Sequence, residues 1–271
     1  MAVQMQPQFM RLLDELRYEP TAKRIRALAG GHTVVDTTDG VVVWEPRRVV
    51  PTYGVPVADL RCELAPAPTA DVAPRPERLQ EGGPTVLTPS TPFGLHTTDG
   101  EPLTLRTTAG ERVGAAFRPA DPDLAGFVLL DFDAFDWLEE DDPVVSHPRD
   151  PFHRIDIRRS SRRVRVERDG QVLAETSRPV LVFETSLPAR TYLPRDDVRL
   201  DLLEPSPTRT ACAYKGVASY LARGGEDLAW IYEAPLPDAG ALAGLVCFFD
   251  ERVDVTVDGE RRGRPVTPWS D

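Results

Sequence analysis

Apolar and polar positions alternate over much of this chain, and a period of two is the mark of half-buried β-strands. In the C-terminal half, Arg163-Val164-Arg165-Val166-Glu167 alternates up to Asp169-Gly170, a favoured two-residue hairpin turn, and Val172-Leu173-Ala174-Glu175 resumes beyond it. Pro179 to Phe183 is a continuous apolar run, as expected of a core strand. Leu228 to Tyr232 and Leu242 to Phe249 add two more strands, and Val253 to Val257 ends in Asp258-Gly259. A helical period occurs only at the start, where Phe9, Leu12, Leu13 and Leu16 follow i, i+3, i+4, i+7. A second short helix is predicted from Pro20 to Gly30-Gly31. In the second half the one expected helical turn is Arg195-Asp196-Asp197-Val198, capped by an aspartate. The predicted fold class is mainly β, antiparallel, with a short N-terminal helical segment.

Self-similarity divides the chain. Residues 34–50 match 164–180 without gaps at an offset of 130, with seven identities: Val34/Val164, Asp39/Asp169, Gly40/Gly170, Val42/Val172, Glu45/Glu175, Arg48/Arg178 and Val50/Val180. A second block, 124–136, matches 242–254 at an offset of 118, pairing Leu124-Ala125-Gly126 with Leu242-Ala243-Gly244. The expected organisation is a helical segment over 1–31, a first repeat over 32–146 and a second over 147–271. The first repeat carries twelve extra residues, placed in the Pro-rich stretch 64–93, which reads as a long loop. The repeats meet at His147-Pro148-Arg149-Asp150-Pro151.

Composition narrows the class. A formal charge of −11 over 271 residues argues against general nucleic-acid or anionic-membrane binding. The stretch Met1 to Leu16 has neither the basic start nor the apolar core of a secretory signal, and the longest apolar run, Ala239 to Phe249, is too short to span a bilayer. Cys62, Cys212 and Cys247 form no CxxC pair and are odd in number, which excludes a disulfide framework and a cysteine-only zinc site. A cytoplasmic protein is expected, monomeric (a pseudo-dimer by duplication) or a weak homodimer. The 27 prolines favour many short elements over long helices. Lysine occurs only at Lys23 and Lys215, so Lys215 draws notice where arginine serves elsewhere.

The run Arg178-Pro179-Val180-Leu181-Val182-Phe183-Glu184-Thr185, then Leu187-Pro188-Ala189-Arg190-Thr191-Tyr192-Leu193-Pro194, continues to Cys212-Ala213-Tyr214-Lys215-Gly216 and Ser219-Tyr220. This resembles the bacterial domain-of-unknown-function family numbered 427, and His147 to Arg154 resembles the stretch joining tandem copies in its actinobacterial members. The resemblance covers nearly all of 147–260 and, more weakly, 24–145. It implies a β-tent type fold, two twisted antiparallel sheets pinned along one edge, and no established reaction. The family has also been labelled nucleotidyltransferase-like. Metal-dependent nucleotidyl transfer needs paired carboxylates, and Asp131-Phe132-Asp133 would place two on one strand face. No phosphate-gripping glycine loop precedes it, and a solvated acidic edge is the competing reading.

Residues that the offset of 130 leaves to the second repeat alone are Glu184, Tyr192, Tyr214, Lys215 and Tyr220. A lysine buried between tyrosines would have its pKa lowered by desolvation, which makes a Schiff-base nucleophile or general base of Lys215, with Glu184 as its polariser. The alternative is a Glu184–Lys215 ion pair closing the fold, with aromatic rings packed over the lysine stem. The expected ligand contacts are Arg178, Arg190, Tyr192, Tyr214, Gly216, Tyr220 and Trp230, for a small polar or aromatic ligand, with no metal or cofactor. Cys212 would need His147 or His153 to fold back as its base. His147, Asp150 and His153 fit a metal set by type or hydrogen-bonded joint residues by place. Two other functions stand beside ligand binding: a non-catalytic interaction module, and metal-dependent nucleotidyl transfer.

Overall fold

The computed structural model describes residues 2–79, 81–108 and 110–270, with the side chains of Gln6, Pro7 and Phe9 outside the described ones. Two compact units are present: Met1–Glu77 with Thr85–Asp150, and Arg78–Pro84 with Pro151–Asp271. Unit one begins with α1 (Met5–Arg11) and a 3₁₀ turn (Leu12–Asp14). Its strands are β1 (Arg17–Pro20), β2 (Ile25–Ala29), β3 (His32–Thr37), β4 (Val41–Trp44), β5 (Thr52–Pro56), β6 (Glu63–Pro66), β7 (Gly100–Thr107), β8 (Gly110–Pro119), β9 (Phe127–Leu130), β10 (Asp136–Glu139) and β11 (Asp142–Pro143). Unit two contains β12 (Ile155–Arg159), β13 (Val164–Arg168), β14 (Gln171–Thr176), β15 (Val180–Glu184), β16 (Arg190–Leu193), β17 (Glu204–Cys212), β18 (Gly216–Arg223), β19 (Glu226–Ile231), β20 (Val246–Phe248), β21 (Asp254–Val257) and β22 (Glu260–Arg261).

Each unit has a seven-stranded and a four-stranded sheet, and their strand orders coincide. The large sheets run β1-β4-β5-β9-β8-β7-β6 and β12-β15-β16-β20-β19-β18-β17. The small ones run β11-β10-β2-β3 and β22-β21-β13-β14. The pairings between these named strands are antiparallel, as the hairpin signals predict. In unit two, Val164, Val166, Leu173 and Ala174 of the small sheet pack against Leu193, Ala229, Ile231, Val246 and Phe248 of the large one. Alternate residues of the large sheet, Val182, Tyr192, Ala218, Trp230 and Cys247, form a second cluster on its other face. This second face carries the candidate site.

Three expectations need correction. No helix spans Pro20 to Gly31: β1 ends at Pro20 and β2 occupies 25–29, so the helical part of the N-terminal segment is confined to 5–14. Ile25, Ala27 and Ala29 are buried in alternation, a period of two that tertiary packing selects over the helix propensity of Arg, Leu and Ala. The predicted turn at 195–197 is a 3₁₀ turn, but Pro194 precedes it and supplies no side-chain cap. The stretch 64–93 holds short extended pieces at Glu63–Pro66, Glu77–Arg78 and Thr85–Val86 and irregular chain between them.

The offset of 130 is also displaced. Strand pairing matches β2 and β3 to β13 and β14, which sets Ile25 on Val164 and Glu45 on Glu184, an offset of 139. Left-handed turns confirm the register: Gly30 (φ 56) and Gly31 (φ 81) stand where Asp169 (φ 53) and Gly170 (φ 76) stand, and Arg47 (φ 67) matches Ser186 (φ 64). The Thr37 hydroxyl donates to Asp59 at 2.6 Å, and that of Thr176 to Asp197 at 2.6 Å. Glu45 therefore corresponds to Glu184, not to Glu175. Branched apolar strands resemble each other at many offsets, whereas a turn that needs positive φ does not.

Candidate functional site

Strand period and register bring most of the expected residues onto one face of the unit-two large sheet. Glu184 ends β15 on the same side as Val182, and Arg190 and Tyr192 follow on β16. Tyr220 sits directly across from Trp230 on β18 and β19, and both join the apolar cluster with Tyr192 and Tyr232. Tyr214 and Lys215 occupy the turn that enters β18. Gly216 begins that strand at φ 95, and the Lys215 carbonyl accepts the Leu236 amide at 3.1 Å. A Cβ on Gly216 would lie 3.4 Å from the Leu236 nitrogen, so the backbone angle more than crowding demands glycine. Gly216→Ala is expected to cost about 1–2 kcal/mol in urea unfolding.

Glu184 is the centre of the site. Its Oε2 accepts the Lys215 ammonium in a short ion pair, and its Oε1 lies 3.1 Å from His153 Nε2. The His153 ring stacks on Tyr214 with centroids 4.4 Å apart. The side chains of Lys215 and Glu184 are 11% and 8% exposed, so solvent screens this pair little. Burial pushes the Glu184 carboxyl upward, but the hydrogen bond from His153 and the charge of Lys215 outweigh it and hold it at about 2. Burial pulls the Lys215 ammonium down, and the Glu184 carboxylate more than restores it, leaving Lys215 above the ordinary lysine value. The expected lowering of the lysine pKa is thereby overturned. Desolvation is present, yet a carboxylate in contact dominates it.

These shifts set a pH dependence. The Glu184 carboxyl is depressed from 4.5 to about 2, so its contribution is complete above pH 4.5 and is lost as pH falls toward 2. Its full size is about 3 kcal/mol. Asp250 acts oppositely: burial raises it to about 6 despite Arg190, so its contribution declines as pH rises from 3.8 to 6. The stability difference between the native chain and Glu184→Gln in chemical unfolding isolates the Glu184 effect and grows as pH rises from 2 to 4.5, because Asp36, Asp197, Asp201, Glu251 and Asp254 are likewise held low and titrate in both chains.

Arg190 lies on the same face, across from Val182. It makes a bidentate pair with Glu251 at 2.9 and 2.6 Å, and its guanidinium sits 5.6 Å from the ring of Trp230. The Trp230 indole N–H donates to the Tyr192 hydroxyl at 3.0 Å. Burial pushes the Tyr192, Tyr232 and Cys247 groups upward, and each feels the charges of neighbouring titratable groups. The Tyr220 hydroxyl is 2.7 Å from that of Thr210. Arg178 is not brought to this face: it is exposed and pairs with Asp197 at 3.2 Å, beside the Thr176 bond that anchors the turn.

His153 is the residue that sequence reasoning did not join to Glu184. The register Ile155 to Glu184 between β12 and β15 makes that connection, and it is invisible until the two strands are known to pair. His147 instead has its Nδ1 2.7 Å from the Pro148 carbonyl. Asp131 and Asp133 do not share a strand face, because Phe132–Ala134 is a 3₁₀ turn and the Asp131 carboxylate caps it by accepting the Asp133 amide. Among the described residues no group of three or more His, Cys, Asp or Glu is placed to hold a metal ion.

Unit one holds a version of the central carboxylate. Glu45 accepts the Thr97 amide at 2.9 Å and lies 3.2 Å from His96 Nδ1, with Arg48 Nε 3.5 Å away. Thr97 precedes Pro102 by as many residues as Lys215 precedes Tyr220, and Pro102 and Tyr220 hold matching sheet positions. A backbone amide thus replaces the lysine. A buried carboxylate is common to both units, paired with Arg48 in unit one and with Lys215 in unit two.

No curated protein matches this chain. A family model does, NTP_transf_9, described as a domain of unknown function (DUF427), over residues 156–259. That span runs from β12 through β21 and includes Glu184, Tyr192, Lys215, Trp230 and Arg190. Unit two therefore carries a domain of the DUF427 family, whose function is not known.

Proposed function

We propose that unit two binds a small, flat, polar ligand at the Glu184–Lys215–His153 cluster. The observation that supports this reading is the concentration of perturbed titratable groups on one sheet face: Glu184, Lys215, Tyr192, Tyr232 and Cys247 all interact electrostatically within it. Lys215 stays an ammonium there and serves as a hydrogen-bond donor and fixed charge. A Schiff-base nucleophile requires the neutral amine, which the Glu184 contact disfavours. A ligand edge carrying one acceptor and one donor, such as a carboxamide, satisfies Lys215 and Glu184 together, while its ring lies against His153 and Tyr214.

The same reading takes the two units as copies of one ancestral domain, with unit one retaining the carboxylate and pairing it with Arg48 in place of a lysine. Three free cysteines fit a reducing, cytoplasmic setting. No helix among the described residues is long and apolar enough to cross a membrane.

With only two lysines in the chain, selective ¹³Cε-lysine labelling gives one signal for Lys23 and one for Lys215. Titration with benzamide is expected to move the Lys215 signal saturably and leave Lys23 in place, and Glu184→Gln removes the effect. If benzamide and related aromatic carboxamides move neither signal, the ligand-site reading fails and a non-catalytic interaction module replaces it.

A further inference from the structure

Beyond β22 the chain forms a compact turn: the Thr267 amide donates to the Ser270 hydroxyl at 2.9 Å, and the Ser270 amide to the Thr267 carbonyl at 3.1 Å. This turn is seated on the sheet face at two points. The Thr267 hydroxyl donates to Glu251 Oε1 at 2.5 Å, and the Trp269 ring lies 5.6 Å from the Arg190 guanidinium carbon. Two indoles, Trp230 and Trp269, thus lie against one guanidinium whose orientation Glu251 fixes.

The two rings are held very differently. Trp230 is buried, hydrogen-bonded to Tyr192 and tilted on Phe249 at 4.7 Å between centroids. Trp269 is 39% exposed on a segment whose neighbour Val266 is also exposed. A guanidinium already oriented by a carboxylate attracts aromatic faces, and the affinity of a tethered ring reflects its high effective concentration as much as its contacts.

We propose that the Arg190 guanidinium, backed by Trp230 and fixed by Glu251, is a binding slot for a flat aromatic ring, and that Trp269 is its built-in occupant. A ligand ring enters by displacing Trp269, and the Thr267–Glu251 hydrogen bond sets how readily the segment lifts. The slot uses none of the Glu184, Lys215 or His153 side chains and does not depend on the reading given to them.

Labelling with 5-fluorotryptophan gives fluorine signals for Trp44, Trp137, Trp230 and Trp269, assigned by single Trp→Phe substitutions. In Trp269→Ala, indole as probe is expected to shift the Trp230 signal saturably. The native chain should need roughly tenfold more indole or greater for the same shift, because the tethered ring competes at millimolar effective concentration. Thr267→Ala should fall between the two, and Arg190→Lys in the Trp269→Ala background should abolish the titration. A Trp230 signal that indole leaves unmoved in both Trp269→Ala and Trp269→Leu overturns the proposal, as do equal midpoints in the native and Trp269→Ala chains.

Discussion

Glu184→Ala should be among the most destabilising single substitutions in unit two. It leaves the Lys215 ammonium, 11% exposed, in a site built around a carboxylate that is gone. Breaking a buried ion pair by removing one partner costs about 3–5 kcal/mol, because the surviving charge is buried without compensation. For a unit of this size that loss lowers the melting temperature by roughly 10–20 °C. The double variant Glu184→Met, Lys215→Met separates this penalty from the net worth of the pair. Removing both charges together should restore most of the stability, to within about 1–2 kcal/mol of the native chain. If Glu184→Ala costs under about 1 kcal/mol by calorimetry, the pair is screened by solvent and the site is not closed as described.

Glu251→Ala is expected to have an effect of similar size for a related reason. The Glu251 side chain is fully buried and takes both guanidinium nitrogens of Arg190, at 2.9 and 2.6 Å, and the Thr267 hydroxyl as well. Its loss leaves Arg190 facing Asp250 at 3.8 Å as the remaining carboxylate and frees the 265–270 turn from one of its two anchors. Urea unfolding should show a loss of about 3–5 kcal/mol. Glu251→Gln keeps an acceptor for Thr267 but gives up the charge, so it should fall between Glu251→Ala and the native chain. Equal stabilities for Glu251→Gln and the native chain would mean that the charge contributes nothing and that Glu251 acts only as a hydrogen-bond acceptor.

Much of this architecture is legible in the sequence because turns and strand alternation are local. Asp169-Gly170 and Asp258-Gly259 are left-handed turns as their residues demand, with φ of 53 and 76, and 53 and 87. The segment Ile25 to Ala29 was misleading because Arg, Leu and Ala suit a helix, and only the small-sheet partners β3 and β10 make the alternation of Ile25, Ala27 and Ala29 decisive. Similar Val-rich strands also aligned at the wrong offset. Gly30-Gly31 was the better guide, since it supplies the same left-handed turn as Asp169-Gly170 without sharing its first residue.

The candidate site was legible by residue type but not by contact. Glu184 and Lys215 stand out in the sequence, and their pairing is the arrangement found. The direction of the lysine shift was not readable, because it depends on whether a carboxylate touches the amine or merely shares its neighbourhood. His153 was hidden for the same reason: it precedes β12, and only the pairing of β12 with β15 carries it to Glu184.

The most direct test of the closed Glu184–Lys215 pair is the titration of the two lysines themselves, followed by ¹³Cε and ¹⁵Nζ signals in the native chain. Lys215 should remain an ammonium through neutral pH and titrate above the ordinary lysine value, with Glu184→Gln bringing it down. A Lys215 that releases its proton below that value in the native chain would contradict the pair and restore the case for a neutral amine.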